Sequence, residues 1–210
     1  MLKHISFGII FTLFMQLSAV SQVYSSENNL QQLLQPFKSI TFIHFTYTQK
    51  RYSLFFKQPQ ESRGEIIFEK PDTLTKRELQ PHQKTYQIQN NQLSVSEYDK
   101  NKQLSKNAEI HLSNYPQLQQ FVDLYKALLS GNADFLAQHY SYQIQNHAEN
   151  WDLQLTPLPV NDVMNMQQQR LKTVQITASK DKIQSIHMLG HGGEKSELYI
   201  DKIIRHESIQ

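Results

Sequence analysis

The chemistry this chain could perform is concentrated in a few histidines and one glycine run. Leu189-Gly190-His191-Gly192-Gly193 contains the His-Gly-Gly pattern of loops whose backbone amides stabilise an acyl-transfer oxyanion. Such chemistry also needs a nucleophile on a sharp elbow, and no Gly-x-Ser-x-Gly occurs in the 210 residues. The run stands where a hairpin has to reverse, so it reads as a turn. His187 and His191 have the i, i+4 spacing of a helical metal pair, but they fall on a strand-like segment and across that turn, so their rings need not converge. Catalytic residues, a metal site and a cofactor are not expected. A histidine-dependent hydrolase is the rival reading from the enzyme class, without a motif for its nucleophile or base.

The N-terminus directs the chain outward. Met1-Leu2-Lys3-His4 is basic, Ile5 to Val20 is almost wholly apolar, and Ala19-Val20-Ser21 supplies small residues for a signal peptidase. The expectation is a signal peptide over 1–21, removed before Gln22, with Val23-Tyr24-Ser25 as a second frame. A retained helix is the alternative, but the run is shorter than the about 20 residues of a comfortable span. Residues 22–210 then form one domain. The absence of cysteine excludes disulfides and a lipobox anchor, so the exported product is expected to be soluble. With 21 Lys+Arg against 19 Asp+Glu, the charge balance gives no footprint for nucleic acid.

The elements that must position any site are mostly strands. Asn29 to Leu34 reads as a short helix stopped near Pro36. Thr41 to Arg51 alternates, with Ile43, Phe45 and Tyr47 on one face. Leu54-Phe55-Phe56 is a short apolar burst. Gly64 to Lys70 alternates again and is stopped by Pro71, with Gly64, Ile66 and Phe68 on the apolar side. One apolar face and one that can meet water is the mark of an open antiparallel sheet. Thr73 to Leu79, where Leu74 alternates with Lys76 and Glu78, is bounded as a strand by Pro71 and Pro81. Tyr86 and Ile88, then Leu93 and Val95, flank Asn90-Asn91 as a hairpin. Tyr98 to Asn107 is charged and reads as a loop.

From Pro116 the period changes to a helix ended by Gly131, with Leu118, Phe121, Val122, Tyr125, Leu128 and Leu129 on its stripe and Asn114 or Ser113 as cap. Asn132 to Ala137 adds a helical turn or two. Strands resume at Tyr140, Tyr142 and Ile144, then Trp151, Leu153 and Leu155, then Val174, Ile176 and Ala178, then Ile183 to Met188, and finally Ser196, Leu198 and Ile200. Met164 to Gln169 is a polar insertion of ambiguous type. The plan is one large antiparallel sheet interrupted by one dominant helix.

Three of these segments resemble the LolA family of periplasmic lipoprotein carriers. Thr46-Tyr47-Thr48-Gln49-Lys50 is similar to its aromatic-x-Gln-Lys first strand, Gly64-x-Ile66-x-Phe68-x-Lys70-Pro71 to its Gly-to-Pro strand, and Trp151-x-Leu153-x-Leu155-x-Pro157 to its Trp-x-Leu-x-Leu-x-Pro strand. The resemblance runs from about Leu30 to Ile203 in the same order. It implies a mainly β fold with helices, an incomplete antiparallel β-barrel with a helical lid over an apolar cavity. It also implies a periplasmic monomer that takes acylated lipoprotein or lipid cargo from an inner-membrane exporter to an outer-membrane acceptor. A binding or sensor module that keeps its lipid is the alternative. Lys70 stands where many members carry an arginine that helps hold the lid, so Lys70 is the expected latch onto lid carbonyls. The Gly190 to Gly193 turn also departs from the usual hairpin of the family.

On this reading the cavity wall comprises Phe45, Tyr47, Ile66 and Phe68, then Tyr86, Leu93 and Val95, and from the second half Trp151, Leu153, Leu155, Val174 and Ile176. Ordinary core is the competing assignment for the aromatic members. The lid is the stripe from Leu118 to Leu129, which is core or lid by pattern alone.

Overall fold

The computed structural model describes residues 26–99, 101–159 and 171–208. The expected signal peptide and the insertion at 164–169 lie outside the described residues. Helix α1 (Ser26–Lys38) leads into β1 (Ile40–Tyr52), β2 (Gln60–Glu69), β3 (Thr73–Gln80), β4 (Lys84–Gln89), β5 (Gln92–Tyr98) and β6 (Leu104–His111). A 3-10 turn at Leu112–Asn114 precedes α2 (Pro116–Ser130) and α3 (Ala133–His139). The chain returns as β7 (Tyr140–Asn146), β8 (Asn150–Pro157), β9 (Leu171–Ser179), β10 (Lys182–Gly190) and β11 (Lys195–Ser208).

The strands make one antiparallel sheet in the order β6-β5-β4-β3-β2-β1-β11-β10-β9-β8-β7. Two meanders are therefore zipped together along β1 and β11, and α2 and α3 connect edge strand β6 to edge strand β7 along the chain. This is an open antiparallel barrel, mostly β, with helices across its interior face. Its curvature has a local source: the β1 to β11 ladder slips between Ile40 and Phe42, His44 and Phe45, and Thr46 and Tyr47, and such bulges bend and twist a strand.

Alternation places the core as expected for most strands. Ile43, Phe45 and Tyr47 of β1 are buried, as are Ile66 and Phe68 of β2, whereas Arg63 and Glu69 face water. Asn90 and Asn91 take φ of 50° and 61°, the pair of left-handed residues that a two-residue hairpin needs. Gly64 is required by a close approach: a Cβ there would lie 1.8 Å from the carbonyl oxygen of Arg77. Gly131 closes α2 at φ 69°, and a Cβ on it would meet the Leu34 carbonyl oxygen and the Lys38 amide nitrogen of α1 at 2.7 Å.

Three expectations are corrected. The first helix does not stop near Pro36 but carries it inside, because Phe37, beyond it, is buried beside Leu30 and Leu34 and holds the last turn down. Pro36 forfeits one intrahelical N–H bond in that last turn, a cost set against the burial of Phe37. Leu104 to Asn107 is not loop but the start of β6, an edge strand whose exposed positions carry no apolar period to read. Neither Asn114 nor Ser113 caps α2: the cap residue is Tyr115, without a side-chain hydrogen bond, since residues 112–114 are wound into the 3-10 turn. Asn132 does cap α3, its side chain accepting from the Phe135 amide at 3.0 Å.

Candidate functional site

A cavity of about 730 Å³ lies between the inner face of β1 to β5 and helix α2. That is within the range of roughly 300–1,000 Å³ usual for small-ligand sites. Ile66, Leu74, Ile88 and Leu93 come from the sheet, Leu118, Phe121, Val122 and Tyr125 from α2, and Leu171 and Met188 from the second meander. The α2 side chains split by direction. Leu124, Leu128 and Leu129 go into the packed core, while Phe121 and Tyr125 remain partly accessible because they face the cavity. Burial raises the Tyr125 phenol far above its ordinary range, with no charge contributing.

The other end of the chamber is polar, and strand register explains why. The inner face of β1 runs from Phe45 and Tyr47 to Gln49, and that of β3 from Leu74 to Lys76 and Glu78. Pairing of Gly64 with both Tyr47 and Glu78 brings these polar stretches side by side. Lys76 Nζ donates to Gln49 Oε1 at 2.6 Å and lies 3.2 Å from Glu78 Oε1. Arg51 Nη2 stands 3.8 Å from the same carboxylate oxygen. Gln49 Nε2 donates to Ser196 Oγ at 2.7 Å, tying the cluster to β11. The Lys76 ammonium also sits 5.0 Å from the ring centre of Tyr47 and 6.0 Å from that of Tyr86. Burial pushes the Lys76 ammonium below the usual lysine value, and the adjacent Glu78 carboxylate opposes that shift. Lys76 nonetheless keeps 24% of its side-chain surface, because it lines an open chamber. Tyr86 is raised by burial first and by Glu78 second.

Of the wall residues expected from sequence, Ile66, Tyr86 and Leu93 line the cavity. Phe45, Tyr47 and Phe68 are fully packed behind it, and Val95 packs against the core from β5 without reaching the wall. Trp151, Leu153, Leu155, Val174 and Ile176 belong to a solid core, where Phe37 of α1 meets Trp151 edge to face at 6.4 Å between ring centres. In the α2 stripe, Leu118, Phe121, Val122 and Tyr125 line the cavity, and Leu128 and Leu129 do not.

Lys70 makes a contact of the expected kind with a different helix. Its Nζ donates to the carbonyl oxygen of Lys38 at 2.6 Å, at the end of α1 rather than on α2. The tie to α2 is Lys126, which bridges to Asp72 in the turn after Pro71, while the other Asp72 oxygen accepts from the Asn90 amide at 2.6 Å. Sequence reasoning missed Asp72, Lys126 and the Gln49, Arg51, Lys76 and Glu78 cluster. The available signal was charge at strand period, Lys76 and Glu78 following Leu74 on one face.

The residues considered for chemistry are occupied otherwise. Gly190 and Gly193 donate their amides within the β10 to β11 turn, to Glu194 and Gly190 carbonyls at 2.8 and 3.2 Å. His187 packs edge to face on Tyr199, and His191 is exposed on the turn. Among the described residues no group of three His, Cys, Asp or Glu is placed to hold a metal ion. No described helix is long and apolar enough to cross a membrane.

No curated protein matches the chain. Solved structures with similar folds include the MucA/MucB complex of Pseudomonas aeruginosa, at 11% identity and TM-score 0.44, where 89% of this chain aligns with 59% of that one. A LolA superfamily protein of Nitrosomonas europaea aligns over 83% of this chain and 92% of its own, at 9% identity and TM-score 0.41. The lipoprotein LppX of Mycobacterium tuberculosis aligns over 88% and 97%, at 11% identity and TM-score 0.41. Residues 19–198 match the family described as outer membrane lipoprotein carrier protein LolA-like, and the chain belongs to that family.

Proposed function

We propose that the protein is a periplasmic carrier that holds acyl chains of a lipid or lipoprotein in the cavity under α2 and moves them from the inner towards the outer membrane. The observation that carries this reading is the apolar chamber of about 730 Å³ roofed by one helix, in a member of a carrier family. Each CH₂ moved from water onto such a wall is worth about 0.8 kcal/mol, so a lipid gains strongly by entering. The same gain opposes release. An energised exporter must load the cavity and an acceptor must empty it, with α2 trading its contacts between sheet and cargo as a lid. The Asp72 to Lys126 bridge is suited to hold that lid.

The cavity wall also supports a carrier over a hydrolase. Ser53 and Ser196 are its described serines, and none of its described residues is a histidine that could activate them. Lipid extraction and mass spectrometry of the purified protein, beside transfer of a labelled acylated lipid from donor to acceptor vesicles, test the reading. Bound lipid and protein-dependent transfer are expected. Bound lipid without transfer would favour a sensor, a cleaved product would favour the hydrolase, and no bound lipid would reject the cavity assignment.

A further inference from the structure

A cavity meant only for hydrocarbon has no use for charge, yet this one has a lysine deep in its wall. Removing an ammonium from bulk water is costly unless partners replace the hydration. Lys76 has two, Gln49 and Glu78, of which only one is charged. Arg51 adds a second cation to the same carboxylate, and its guanidinium makes no hydrogen bond among the described residues. Two cations thus share one carboxylate. Farther along the wall Lys195 bridges to Glu197 and leaves Glu194 as an anion there, so the positive excess is local to the cluster of Lys76, Arg51 and Glu78.

We propose that Lys76 and Arg51 form a head-group site for an amphiphile ending in a single anionic group, carboxylate or phosphate, whose chain runs along Ile66, Leu74 and Leu93 to Phe121 of α2. This rests on the carrier reading and narrows its cargo to anionic lipids. The geometry suits it in three ways. Lys76 shares the inner face of β3 with Leu74, so head and chain sites are two residues apart on one strand. Arg51, with 46% of its side chain exposed, offers a planar fork of N–H donors that no acceptor among the described residues occupies, the group best matched to carboxylate or phosphate oxygens. Glu78, 6% exposed, is held by the two cations and acts as the placeholder anion that a ligand joins or displaces.

The test compares a pyrene-labelled fatty acid, its methyl ester and a lysophosphatidate of the same chain length, titrated into the purified protein. The two anionic probes are expected to bind about tenfold or more tighter than the ester, as befits charge-assisted hydrogen bonds. Whichever anionic probe binds tighter identifies the head-group source. Lys76→Met and Arg51→Gln should each bring that ratio towards one. Glu78→Gln should raise it, a gain that misfolding cannot produce. A wild-type ratio within about twofold of one, or an unchanged ratio in Glu78→Gln, would overturn the head-group site. If ester and acid bind equally, only this inference fails; if neither binds, the carrier reading fails with it.

Discussion

The two meanders of the sheet are written in the same alternating code, yet one supplies most of the cavity wall and the other is packed solid along β8 and the middle of β9. In β8 and β9, Trp151, Leu153, Leu155, Val174 and Ile176 are all buried, and Phe37 of α1 presses on Trp151. In β2 to β5, Ile66, Leu74, Ile88 and Leu93 point the same way but keep a free surface towards α2. The difference is the covering, because α1 and α3 bring Leu30, Leu34, Phe37 and Leu136 into the core while α2 turns part of its apolar stripe to a cavity. An apolar face therefore says that something must cover it, and nothing about whether the cover fits.

Substitutions in the two regions can break or sharpen this contrast. The largest effect is expected from Phe68→Glu, which places a carboxylate at a position with no exposed surface and no partner. A loss above about 4 kcal/mol, or no folded protein, is expected in a denaturant melt, whereas Glu69→Gln on the exposed face should stay within about 0.5 kcal/mol. Equal melts for the two would mean that the strand faces the other way.

Cavity-forming substitutions come next. Leu153→Ala in the solid half should cost about 2–5 kcal/mol, and Leu93→Ala in the open half should fall at or below the bottom of that range, since one side of Leu93 already lacks neighbours. Enlargement should act in opposite directions. Val174→Phe has no room and should destabilise by about 1–3 kcal/mol, while Leu74→Phe has a chamber to enter and should leave the melt nearly unchanged while weakening acyl-probe binding. Similar losses of stability for both would show that the open half is as tightly packed as the solid one.

The smallest stability effect belongs to the ties at the two helices. Lys126→Leu removes the bridge from α2 to Asp72, a partly exposed pair worth about 1 kcal/mol or less. It should nonetheless speed amide exchange in α2 and the release of bound acyl probe. Lys70→Leu removes a donor to the α1 carbonyl of Lys38 and should alter exchange in α1 without changing the rate of release. Faster release from Lys70→Leu, with Lys126→Leu unchanged, would reverse these assignments.

Much of the architecture was legible because strand and helix periods differ. Ile43 to Tyr47, Gly64 to Phe68 and Trp151 to Leu155 declare an inner face at period two, and Leu118 to Leu129 a stripe at period 3.6 with Gly131 as its stop. Edge strand β6 was illegible since an exposed strand needs no apolar period. The inward face of β10 was also beyond reach: Ile183 is buried, but the ladder slips before Ser185, so Ile186 and Met188 take over the inside.

By itself, then, the sequence determined which faces must be buried, where the chain turns and which family it resembles, because these follow from local spacing and backbone preference. Tertiary structure decided which buried face retains a cavity, which helix each lysine ties down, and that Gln49, Arg51, Lys76 and Glu78 meet. Those outcomes depend on register between strands distant in sequence and on the fit of the helices laid over them, and neither is encoded in the period of a single strand.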